Sequence, residues 1–148
     1  MYNILLGLHN VLRWVILLLL VITIIQIAVG NAKIVLSKWL FICTNITFLI
    51  GLYLYFAGGN GYAYIQQYGM SEVMKNDTYR FWAIEHITGM IVSVAFISIG
   101  YSALKKNNKK KANMFFVLAL ILIIAVVPWP FRAAASRPLL PHFGLLLY

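Results

Sequence analysis

The residues able to do chemistry are few, and they sit where charge is costly. In Arg80-Phe81-Trp82-Ala83-Ile84-Glu85-His86-Ile87-Thr88-Gly89-Met90 a carboxylate and an imidazole enter an otherwise apolar run long enough to cross a bilayer core. Ionisable groups inside such a run mark function by default. A second set opens the chain, Leu8-His9-Asn10-Val11-Leu12-Arg13-Trp14, with His9 and Arg13 at i and i+4 on one helical face. Two imidazoles from facing helices are the axial pair that holds haem in a helical bundle. The same groups with Glu85 would instead exchange protons with a quinone, or form a polar cluster that fixes helix packing. Zinc or non-haem iron held by His9, His86 and either Glu85 or His142 is a further use.

The elements that must position these groups follow from hydropathy. The 148 residues are 63% hydrophobic and 10% charged, with mean hydropathy +0.88, which is the composition of an integral membrane protein. Four apolar runs predict spans at about residues 4–29, 34–57, 81–104 and 112–128, with an outer loop at 58–80 and an interfacial tail at 129–148. The expected fold is therefore all-α, a single up-down four-helix transmembrane domain. The first run lacks a basic flank and exceeds a signal-peptide core, so it reads as a retained span.

The net charge of +9 comes from basic residues at helix ends rather than along one polar face, which argues against a nucleic-acid partner. Lys33 and Lys38 flank the first turn, and Lys105, Lys106, Lys109, Lys110 and Lys111 make the third. The positive-inside rule puts both turns in the cytoplasm, so both termini and the 58–80 loop face outward. Cys43 is alone, so no internal disulfide forms, and without a Cys-x-x-Cys-His motif no haem is attached covalently.

With that topology the first and third spans both run inward, and His9 and His86 arrive at matching depth, roughly 7–8 Å below the outer boundary. These spans are diagonal neighbours, roughly 11–14 Å apart for ordinary helix spacing, a distance two imidazoles bridge through a metal. Arg13 is expected to pair with Glu85. Arg132 and Arg137, which follow the helix-ending Pro128 and Pro130, stand at the rim as partners for propionates or another anion. Gly89 either leaves room beside His86 for a flat macrocycle or permits close helix packing. Asn45 is expected to bond a neighbouring helix, Ser71 to open a short helix, and Tyr62, Tyr64 and Tyr68 to form an aromatic lid. Three histidines cannot supply two bis-histidine haems, so a two-haem wire across the membrane is excluded.

Over nearly its full length the chain is similar to a family of small four-span bacterial membrane proteins labelled cytochrome b-like. The stretches that carry the likeness are the two above, Ile50-Gly51-Leu52-Tyr53-Leu54, and Pro128-Trp129-Pro130-Phe131-Arg132. The resemblance implies membrane electron transfer in a bacterial cytoplasmic membrane, with His9 and His86 as the ligand positions. The combined expectation is a b-type cytochrome of the respiratory chain with one haem b near the outer face. It would exchange electrons between quinol or another membrane subunit and an outward-facing acceptor. The alternatives are a cofactor-free accessory or scaffold subunit of a larger membrane complex, and a quinone-binding protein.

Overall fold

The computed structural model describes residues 1–135, and these are helical, without a strand. Arg137 and His142, and the tail from residue 136 on, lie outside the described residues. The helices are α1 (Tyr2–Ala28), α2 (Ile34–Ala57), α3 (Tyr62–Lys75), the single turn α4 (Asp77–Arg80), a π-helical turn (Phe81–Glu85), α5 (His86–Lys105) and α6 (Lys109–Val126). Three stretches are long and apolar enough to cross a membrane: α1, α2 and the continuous run Asp77–Lys105. Within their most apolar windows only 22%, 17% and 33% of the residues are buried, so most of the apolar surface faces outward. Such a surface is stable in lipid and not in water.

Helix α6 differs from the other three. It has 18 residues, roughly 27 Å by helical rise, and its first three are lysines. Its apolar part therefore begins only at Ala112 and stops at Val126, where the residue before Pro128 takes the extended backbone that a following proline imposes.

Local signals set most of the other ends. Gly30, at φ +81°, closes α1 with its N–H on the Ile27 carbonyl. Asn107, also at positive φ, ends α5, and the Asn108 side chain caps α6 through the Lys111 N–H at 3.0 Å. The connection at 58–80 departs from expectation. Helix starts already at Tyr62, and Gly69, at φ +76°, breaks it in two, so Ser71 lies in the first turn of the second piece, as expected, with the break at Gly69 just before it. The turn before it, at Asn60 and Gly61, borders the interior cavity, while α3 itself lies against α4 and the π turn.

The long helices pack in a ring. Helix α1 lies on α2 and α6, and α5 lies on the same two, which leaves α1 and α5 facing each other across the diagonal. The two basic turns meet at one end, where Lys109 Nζ donates to the Gly30 carbonyl at 3.3 Å. Leu20, Leu40, Ile97 and Phe116 are buried and form a continuous core. The buried hydroxyls of Thr23, Thr44, Thr47 and Ser93 each return to the carbonyl one turn back on their own helix, which satisfies them without water. Asn45 does the same, donating to Phe41 O at 2.8 Å instead of bridging to a neighbour. A mid-span amide one turn from its own helix's carbonyl has that acceptor within reach in any packing.

Candidate functional site

The site begins with the end of α6. The last four carbonyls of any helix lack intrahelical partners, and here the sequence removes the usual substitutes. Pro128 and Pro130 have no N–H to offer Ile124 and Val126, and the Trp129 N–H turns to Val127 O. Only Ile123 O keeps a backbone donor, from Val127. Three side chains supply the others. The Trp129 indole donates to Ile124 O at 2.8 Å, Arg132 Nη1 to Ala125 O, and His86 Nδ1 to Val126 O at 2.8 Å. His86 thus completes the C-terminal cap of a helix forty residues away in sequence. Gly89, one turn further on α5, makes the approach possible, since a Cβ there would lie 2.5 Å from Val126 Cγ1. Of its two expected roles, Gly89 performs the packing one. It faces α6, and it is not part of the cavity lining.

His9 is tethered in the same way from the opposite side. Its Nδ1 lies 3.2 Å from Thr47 O on α2. The Thr47 carbonyl is reachable because the residue one turn above it is Gly51, where a Cβ would stand 2.9 Å from His9 Cε1. Glycine here leaves the backbone bare for an imidazole. A carbonyl oxygen only accepts, so in both histidines Nδ1 carries the proton, and in the neutral ring Nε2 is the nitrogen with the lone pair.

Both imidazoles line one cavity of about 300 Å³. It extends from Tyr2 to Ile16 along α1, roughly 20 Å by helical rise, at the end of the bundle opposite the lysine turns. Its walls are largely apolar, with Leu6, Phe48, Leu52, Ile87 and Met90 among them, and His9, Asn10, Arg13 and His86 are among the polar residues that line it. The two imidazoles are within Coulombic reach of one another, and the Arg13 guanidinium is within reach of both. Arg13 also lies over the Trp14 ring at 5.2 Å, and Trp14 packs edge-on against Trp129. Trp82 stands edge-on to the His86 ring at 5.9 Å.

His86 follows directly on the π turn, in which its N–H bonds Phe81 O, five residues back. Such widened turns recur at functional sites, because they shift the facing of the side chains that follow. Tyr55 braces this one by donating from its hydroxyl to Ala83 O at 3.0 Å. The hydroxyl is thereby committed to backbone, although the Tyr55 side chain still borders the cavity.

Glu85 does not pair with Arg13 as expected. Successive helical residues point about 100° apart, so with His86 turned to the cavity Glu85 faces the rim. There it accepts from Arg80 Nε at 2.8 Å and lies 3.7 Å from Arg132 Nη2. Arg80 continues to Asp77 at 2.6 Å, and Arg132 also covers the Phe81 ring at 4.6 Å. The result is a charge chain that ties the entry to α5 to the segment leaving α6. In the same connection Tyr64, Tyr79 and Tyr68 stack with centroids 4.5 and 4.6 Å apart, and none of the three lines the cavity.

Among the described residues no group of three or more histidine, cysteine, aspartate or glutamate side chains converges on one point. The donor set is two imidazoles. Comparison with protein-family models, curated proteins and solved structures yields no match. Function is accordingly read from the site. The sequence brings His9, His86 and Arg13 to this cavity, and it leaves Glu85 and Arg132 outside. Thr47, Gly51 and Val126, which hold the imidazoles, carry no chemical signal of their own. Only the proline spacing at 128 and 130 announces that Val126 needs a donor.

Proposed function

We propose that this protein is a four-span membrane bundle in which His9 and His86, through Nε2, would hold one haem b near the outer face. The observation that carries the reading is the shared tethering of the two rings. Metal-bound histidines donate the other ring N–H to a carbonyl or carboxylate, which fixes tautomer and orientation, and both imidazoles have that bond already. The chemistry of the donor set and the apolar lining suit a macrocycle. Haem supplies one-electron chemistry. The chain's own part is to present two lone pairs, exclude water with an apolar wall, and set charge with Arg13. Arg13, which lines the cavity, would supply the cationic partner for a propionate, whereas Arg132 does not line it and holds Glu85 and Ala125 O.

In this reading both termini face outward, the lysine turns face the cytoplasm, and the bacterial cytoplasmic membrane is the site of action. Electrons pass on the outer side between quinol or a partner subunit and an outward-facing acceptor. The second reading is a cofactor-free accessory subunit, favoured by one observation: His86 has a complete structural role as the cap of α6.

A reduced-minus-oxidised visible spectrum of protein purified from haem-replete cells separates the two. The haem reading expects a b-type α-band that disappears in both His9→Ala and His86→Ala. A folded, colourless wild type, or a band that survives in both variants, removes it.

A further inference from the structure

Among the described residues the basic end of the molecule has no carboxylate side chain. Seven lysines gather there, Lys33, Lys38, Lys105, Lys106, Lys109, Lys110 and Lys111, while all three carboxylates, Glu72, Asp77 and Glu85, belong to the connection at 58–80 and the entry to α5. Two of these lysines are used internally. Lys109 holds the Gly30 carbonyl, and Lys105 lies over the Tyr101 ring at 5.7 Å. Lys106 and Lys111 have no such partner among the described residues, and they line a shallow, open groove between α5 and the start of α6.

Its lining reads as a gradient. Ser98, Ser102 and Lys106 lie at i, i+4 and i+8 on α5, so they form one stripe roughly 12 Å long. Charge is at the outer lip, a hydroxyl one turn in, and Ile99, exposed on the lipid-facing surface, lies alongside. Ser98 spends its hydroxyl on Val94 O, whereas Ser102 is exposed and free to donate. From water inward, a phospholipid has the same order: phosphate, ester oxygens, acyl chain.

We propose that this groove binds the phosphate of an anionic phospholipid headgroup, held by Lys106 and Lys111 with Ser102 toward the glycerol esters. The charge pattern selects the occupant. An acid-free lysine cluster at the bilayer surface attracts anionic lipid, and a groove between helices turns that attraction into a site. The site is separate from the histidine cavity, so it stands whether or not haem is bound there.

The test is native mass spectrometry of the full chain in detergent, titrated with phosphatidylglycerol and, separately, with phosphatidylcholine. Wild type should retain phosphatidylglycerol preferentially. Lys106→Gln with Lys111→Gln should weaken that retention by roughly 30-fold. Lys33→Gln with Lys38→Gln removes the same charge at the same end and should change it by less than about threefold, because those lysines do not line the groove. Ser102→Leu, which fills the groove without altering charge, should also lower retention. Equal loss in the two lysine pairs, equal retention of the two lipids, or no effect of Ser102→Leu would overturn the site. Displacement of the lipid by millimolar inorganic phosphate would assign it to a free anion instead.

Discussion

His9 and His86 enter one cavity from opposite helices, each tethered by Nδ1 to a backbone carbonyl, yet the two carbonyls are of different kinds. Thr47 O lies in the middle of α2, where the helix ladder already uses it, and the His9 contact is the longer of the two at 3.2 Å. Val126 O is the last carbonyl of α6, with Pro130 where its backbone donor would stand, and the His86 bond is 2.8 Å. His9 therefore borrows an acceptor, and His86 completes one. The same ring geometry serves ligand orientation alone on one side, and both orientation and helix termination on the other.

That contrast breaks if the two histidines prove equivalent in stability. In haem-free protein His86→Ala leaves Val126 O without a donor in a water-poor setting and should cost about 1–3 kcal/mol. His9→Ala, which leaves Thr47 O in its helix ladder, should cost no more than about 1 kcal/mol from the tether. Thermal unfolding in detergent compares them directly, and equal losses would show that the cap is not what His86 provides. A second variant sharpens the His9 side. Gly51→Ala places a methyl 2.9 Å from His9 Cε1, so the ring must leave Thr47 O. Haem affinity by titration should fall roughly 10- to 100-fold, as it does when the partner that orients a metal-bound histidine is lost. Unchanged affinity would mean that the tether does not set the ring.

Smaller effects test the surroundings of His86. Tyr55→Phe removes the 3.0 Å bond to Ala83 O and should destabilise by about 1 kcal/mol, with amide exchange rising in residues 81–86. Glu85→Gln should have the least effect, below about 1 kcal/mol and shrinking further in molar salt, because the pairs with Arg80 and Arg132 are about one-third exposed. A larger, salt-independent loss would place Glu85 in the cavity's chemistry rather than on the rim.

Much of this was legible beforehand. The apolar runs place the helices within a few residues, and Pro128 marks the end of α6. The connection at 58–80 was harder, since its apolar and polar residues do not repeat with one period and Gly69 divides a helix that composition reads as loop. Matched depth does not make Arg13 the partner of Glu85, which pairs with Arg80 and Arg132. Depth is a sum of residue rises, but contact also requires the facing, and the π turn before His86 sets that facing.

The sequence by itself determined that this is a helical chain with stretches apolar enough for lipid, and where its helices end, because transfer energy and proline geometry act locally. Tertiary structure alone decided which carbonyls hold those imidazoles, that Gly51 and Gly89 are the gaps through which they are reached, and that Glu85 turns to the rim. Those outcomes depend on the rotation and register of one helix against another, and many side chains on several helices fix that rotation together.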